Sequence, residues 1–160
     1  EMPEFNSSLS HTKQNLILKN YYHLGVAVDT PSGLTVPVVR NVDKKSVFEL
    51  SEELIDMSSR ARNKKLKPDE LKGGTFTISS LGGIGGTGFS PIVNPPEVAI
   101  MGISRSAWKQ VYDKASSEFV AKFIMPFSLS YDHRVIDGAA AAAFTSRFAD
   151  VLSDLDHFKK

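Results

Sequence analysis

Residues 123–152 run from an apolar strand through a short polar turn into an alanine-rich helix, and that succession limits what the chain can fold into. Phe123-Ile124-Met125-Pro126-Phe127-Ser128-Leu129-Ser130 reads as a buried strand, with Pro126 marking a sheet edge or a bulge because it cannot donate to a ladder. Asp137-Gly138-Ala139-Ala140 reads as a helix start. Asp137 is a good N-cap, and its carboxylate sits near the positive end of the helix dipole. Between them lies Ser130-Tyr131-Asp132-His133-Arg134-Val135-Ile136. His133 therefore falls where a strand ends and a tight turn begins, a place where flanking elements hold a side chain rigidly. Two readings stand for it: a catalytic imidazole, or a structural one bonded to its neighbours.

At 160 residues the chain is one domain's worth, with enough length for a real core. Its hydrophobic (41%) and charged (23%) fractions are those of a soluble globular protein. A net charge of +1 points to neither nucleic acid nor acidic lipid. With no cysteine there is no disulfide framework, thiolate nucleophile or thiolate zinc site. No metal site is expected. No apolar segment has the length of a bilayer span, and no signal peptide opens the chain.

Leu16-Ile17-Leu18 and His23–Asp29 are strand candidates. Thr30-Pro31-Ser32-Gly33 is a turn, and Leu34–Val39 returns from it to complete a hairpin, with Pro37 requiring a free side or a break. Lys44, after Asp43, reads as solvated surface and not as a lipoyl lysine. Ser46-Val47-Phe48-Glu49 fits a capping box. Val47, Leu50, Leu54, Met57 and Ala61 follow at helical spacing as a core face. Arg60, Arg62, Lys64 and Lys65 suit a helix C-terminus, with an anionic cofactor at a cleft mouth as the weaker reading. Pro68 starts a short second helix.

Thr75-Phe76-Thr77-Ile78-Ser79 alternates, and predicts a strand with one wet face. Gly83, Gly85 and Gly88 then satisfy Gly-x-Gly-x-x-Gly after a strand. A dinucleotide site also needs a helix next, and Phe89-Ser90-Pro91-Ile92-Val93-Asn94-Pro95-Pro96 cannot supply one, so that reading is rejected. The glycines instead suit close backbone approach to another chain or a ligand. Glu97–Ser104 is a central strand, and Trp108–Tyr112 with Phe119–Phe123 a second hairpin. The last helix carries Phe144, Phe148, Val151, Leu152 and Leu155 on one face.

Ser128-Leu129-Ser130-Tyr131-Asp132-His133-Arg134-Val135-Ile136-Asp137-Gly138 contains His-x-x-x-Asp-Gly, and resembles the signature of the E2 acyltransferases of 2-oxo acid dehydrogenase complexes and their chloramphenicol acetyltransferase relatives. Residues 25–40, 74–79 and 91–102 carry the same resemblance, which extends over nearly the whole chain. Ile78-Ser79-Ser80-Leu81-Gly82 and Pro96-Glu97-Val98-Ala99-Ile100 look more like pyruvate-complex enzymes than 2-oxoglutarate ones.

The resemblance implies a two-layer α/β sandwich with a mixed β-sheet and helices on one face, chloramphenicol acetyltransferase-like. It implies acetyl transfer from acetyl-dihydrolipoamide to coenzyme A, with active sites between the subunits of a homotrimer. It further implies His133 as general base with Nδ1 tied locally, Ser79 as an oxyanion donor from a neighbouring subunit with Ser80 as the structural alternative, and Asp137 orienting the loop. Asp132 and Arg134 are expected as a structural pair or as surface charges, and His11, His23 and His157 as surface or packing residues. Residues 1–160 are expected to be one N-terminally truncated catalytic domain. The lipoyl domain that carries the second substrate, and the peripheral-subunit-binding domain that meets E1 and E3, are expected to be absent from the chain. Lys159 and Lys160 stand where relatives carry an apolar tail, which favours the trimer over a core of about 24 subunits. A bacterial cytoplasmic location is favoured over a mitochondrial matrix. The alternatives are a scaffold fragment without catalysis, the E2 of another 2-oxo acid complex, or a drug acetyltransferase.

Overall fold

A computed structural model describes residues 1–158; Lys159 and Lys160, and the expectation placed on them, lie outside the described residues. So do the expectations for the side chains of Leu155 and His157.

Strands β1 (Ser7–Leu9) and β2 (Leu16–Leu18) form an antiparallel pair. The predicted 23–29 strand is two pieces, β3 (Leu24–Val26) and β4 (Val28–Thr30). At Ala27 the chain leaves the main sheet, and β4 pairs with β5 (Gly33–Thr35) across the predicted turn, where Gly33 takes φ 102°. Pro37 separates β5 from β6 (Val38–Val39), the break its missing N–H requires. Helix α1 (Val47–Arg62) opens on the full Ser46/Glu49 capping box. Strands β7 (Phe76–Ser80) and β8 (Ala99–Ile103) follow, then the hairpin β9 (Ala107–Asp113) and β10 (Glu118–Ile124). Met125 and Pro126 end that hairpin, so residues 123–130 are not one strand, and β11 (Phe127–Tyr131) starts afresh. Helix α2 (Gly138–Ser153) completes the body and stops before Leu155.

The main sheet has the order β11-β8-β7-β3-β6. β3, β7 and β8 run parallel, while β11 and β6 are antiparallel edges. The mixed sheet and its packed helix match the expected architecture, with β8 inside the sheet and β11 at its edge. Side chains alternate across the pleat. Phe76, Ile78, Met101, Phe127 and Leu129 join one core with Phe5, Phe144 and Phe148, so α2 covers that face. Phe5 and Phe144 stack at 4.3 Å.

Two further expectations need correction. The Thr75/Thr77 face is not wet: both threonines are fully buried. Each hydroxyl finds a partner, Thr75 donating to the His23 carbonyl and Thr77 to Glu97, which makes burial affordable. The apolar face of α1 is only partly a core face. Met57 and Ala61 are buried, but Leu54 is 37% and Val47 67% exposed, because the single chain covers only the C-terminal half of that stripe. Among the described residues no helix is long and apolar enough to cross a membrane.

Candidate active site

The turn after β11 is pinned from several directions. The Asp132 N–H donates to the carbonyl of Val98, the residue just before β8, and the Asp132 carbonyl accepts from Val135 and Ile136 N–H. The Asp132 carboxylate accepts from the Arg134 N–H at 3.0 Å and from its guanidinium at 2.8 Å. That guanidinium holds the Asp132 carboxyl below the usual carboxylate range. These two residues are the expected structural pair. Ile136 is 1% exposed, and burying a side chain of that size contributes on the order of 2 kcal/mol. Asp137 accepts from the Ala140 N–H at 2.8 Å, the predicted N-cap. Every neighbour of His133 in this turn is thus fixed, while His133 itself is exposed. Its ring lies 5.7 Å from that of Tyr131. Among the described residues the imidazole makes no hydrogen bond, so the local tie on Nδ1 is not formed inside one chain, where the ring is open to solvent.

Ser79 is placed elsewhere. It pairs in register with Gly102 of β8, which pairs with Ser128 of β11. The His133 turn is anchored at Val98, at the other end of β8. From Val98 to Gly102 is about 13 Å along the sheet, with about 10 Å more across two strand spacings. A general base and an oxyanion donor must both come within about 3 Å of the reacting atoms. One chain therefore carries His133 and Asp137 on the same turn and leaves Ser79 at the far end. Ser80 points to the α2 face of the sheet, as its alternation with Ser79 requires.

A cavity of about 500 Å³ lies beside the turn, lined by Lys13, Glu97, Tyr131, Asp132 and Arg134 among others. A separate apolar groove of about 520 Å³, lined by Phe5, Phe76, Ile78, Met101 and Phe144, belongs to the α2 face. The sequence reading passed over Glu97. It is 7% exposed, its carboxyl is pushed up by burial, and the Thr77 hydroxyl at 2.6 Å and the charge of Lys19 act against that rise. Only the Pro-Pro-Glu sequence hinted at it, since a carboxylate after a rigid turn carries no periodic signal. Of the basic run at the end of α1, Arg60 has a structural role: it pairs with Asp56 and Glu70, each at 2.7 Å. No group of three or more potential metal ligands occurs among the described residues. The loop after β7 enters no helix, in keeping with rejection of the dinucleotide reading.

Comparison with known proteins places this geometry in a family. A dihydrolipoyllysine-residue acetyltransferase component of pyruvate dehydrogenase complex from Pseudomonas aeruginosa is 56% identical over 155 residues, covering 97% of this chain and 28% of that protein. The chain thus spans less than a third of that relative's length. A solved structure of Azotobacter vinelandii dihydrolipoamide acetyltransferase (E2p) superposes with TM-score 0.95 at 55% identity, covering 98% of this chain and 64% of that one. It was determined to investigate a serine, a histidine and an asparagine in the catalytic mechanism, the last two standing four residues apart. The cubic core of a pyruvate dehydrogenase multienzyme complex matches equally, with TM-score 0.95, 54% identity and the same coverage. A chloramphenicol acetyltransferase shares the fold alone, at TM-score 0.59 and 14% identity. Residues 1–158 match the family described as 2-oxoacid dehydrogenases acyltransferase (catalytic domain), and the chain belongs to that family.

Proposed function

We propose that this chain supplies the acyl-transfer chemistry of a pyruvate dehydrogenase E2 component, moving an acetyl group from acetyl-dihydrolipoamide to coenzyme A. The observation that carries the proposal is the exposed imidazole of His133 on a turn whose other residues are all held, in a chain 56% identical to a named acetyltransferase. The CoA thiol, with an ordinary pKa near ~8.5, is mostly protonated at neutral pH. Neutral His133 takes the S–H proton as the sulfur attacks the thioester carbonyl. The carbonyl becomes an oxyanion, to which the Ser79 hydroxyl donates. Collapse breaks the bond to the dihydrolipoamide sulfur, which recovers the proton from the imidazolium. Asp137 holds the turn and moves no proton.

Because His133 and Ser79 lie at opposite ends of one sheet, the working site forms between copies, His133 from one and Ser79 from its neighbour. A homotrimer meets that need with a closed ring of equivalent interfaces. The aromatic face of the β9–β10 hairpin supports association: Trp108 is 71% exposed and Phe119 70%, and clustered exposed aromatics mark interaction surfaces. The relative named for a cubic core supports assembly into a larger core, and the bacterial source of the similar proteins supports a cytoplasmic location. The lipoyl group, E1 and E3 enter through domains outside residues 1–160, which form a single catalytic domain. An acetyl-transfer assay with free dihydrolipoamide and CoA tests the reading. His133→Ala is expected to lower kcat by about 100-fold or more, and unchanged turnover would remove His133 from the chemistry.

A further inference from the structure

Ser79, Gly102 and Ser128 stand side by side on three adjacent strands. The loop that follows β7 passes over this row. Its first part is held by the Leu81 N–H donating to the Ile103 carbonyl. Its middle is open: a Cβ built on Gly83, Gly85, Gly86 or Gly88 would meet nothing within 4 Å. The loop returns to the sheet at Phe89, in two contacts. The Ser128 hydroxyl donates to the Phe89 carbonyl. The Phe89 ring lies over Gly102, where a Cβ would stand 2.8 Å from Cζ, 3.1 Å from Cε1 and 2.8 Å from the Ser128 oxygen. Gly102 has no positive φ, so its backbone conformation suits any residue. What it supplies is room, and both contacts depend on that room.

We propose that Gly102 and Ser128 are positioning residues for acyl transfer: they seat the glycine-rich loop through Phe89 and so fix the path by which the acyl thioester reaches the Ser79 hydroxyl. The inference rests on the oxyanion-donor role proposed for Ser79. A methyl group at position 102 lifts the ring and the loop by the overlap it creates, and an ångström of misplacement at a reacting centre costs on the order of 100-fold. The other hydrogen bonds of the loop, from the Leu81, Gly82, Ile84 and Gly85 N–H groups, all lie at its start, before the Phe89 seat.

The test is steady-state acetyl transfer by the assembled protein carrying Gly102→Ala, Phe89→Leu, both together, Ser128→Ala, and Ser79→Ala as reference. Gly102→Ala is expected to lower kcat by about tenfold or more. In the Phe89→Leu background, where the ring tip is gone, the same change is expected to cost less than about threefold, a coupling that general loss of stability would not produce. Ser128→Ala, which removes one hydroxyl and fills no space, is expected to lower kcat in the same direction, and it keeps the test open if Gly102→Ala does not fold. An equal cost of Gly102→Ala in both backgrounds, or full turnover with Ser128→Ala, overturns the inference. Full turnover with Ser79→Ala instead overturns the donor role on which it rests.

Discussion

Ser79 and His133 occupy opposite ends of the same β-sheet, Ser79 level with Gly102 and the His133 turn tied to Val98. A site built from both needs two chains, and mixing variants tests that need. Ser79→Ala and His133→Ala are each expected to be nearly inactive alone. Unfolded and reassembled together at equal amounts, they are expected to regain activity, because about one interface in four then pairs an intact His133 with an intact Ser79. Recovery is read as turnover per chain after gel filtration of the mixed oligomer. Mixed oligomers as inactive as their parents would count against a shared site.

Thr77 and Glu97 form the buried polar contact of the inner sheet face, hydroxyl to carboxylate at 2.6 Å. Burial raises the Glu97 pKa in the folded protein, so folding favours the protonated form. Its effect on stability is therefore most favourable below the ordinary value of 4.5 and is lost as pH rises from there through the folded pKa. Glu97→Gln cannot ionise. Urea unfolding at several pH values is expected to show wild type losing stability relative to Glu97→Gln on going from acid to neutral pH. Parallel curves would mean that Glu97 stays ionised at little cost.

Asp132 titrates with the opposite sign. The Arg134 guanidinium lowers its pKa in the folded chain, so its contribution is present above the ordinary carboxylate range and is lost as pH falls through the folded value. Arg134→Ala is expected to leave stability at neutral pH lower and to reduce the acid-side loss. The comparison of wild type and variant unfolding midpoints below pH 5 checks this.

Asp137 caps α2 through the Ala140 N–H. Asp137→Ala is expected to destabilise the chain by about 1 kcal/mol, and to lower acetyl transfer because the His133 turn loosens with the cap. Asp137→Asn keeps a good cap, so thermal unfolding and kcat are both expected to stay near wild type. A large loss of kcat with Asn and unchanged stability would instead give the carboxylate a charge role.

The exposed rings of Trp108 and Phe119 sit on the projecting β9–β10 hairpin. Trp108→Lys with Phe119→Lys is expected to leave secondary structure intact, weaken self-association, and lower activity in proportion to the oligomer lost. Light scattering and circular dichroism on the same samples separate these outcomes.

Short-range rules were legible without the fold. Ser46 with Glu49, Asp137 at the start of α2, Gly33 in its turn and the break at Pro37 are each decided within a few residues, because capping, φ restriction and a missing N–H act locally. So was the position of His133 at a strand-to-helix turn. What only the tertiary structure decided are the encounters between distant segments. Thr75 and Thr77 alternate like a wet strand, yet His23 and Glu97, brought from elsewhere in the chain, cover and satisfy them. The stripe on α1 has the period of a core face, and the fold buries only the end that reaches Met57 and Ala61. Gly102 looked like one small residue in an apolar strand until the ring of Phe89 was found over it. Periodicity states which residues share a face; which face meets water, and what lies across from it, follows from contacts that no local pattern encodes.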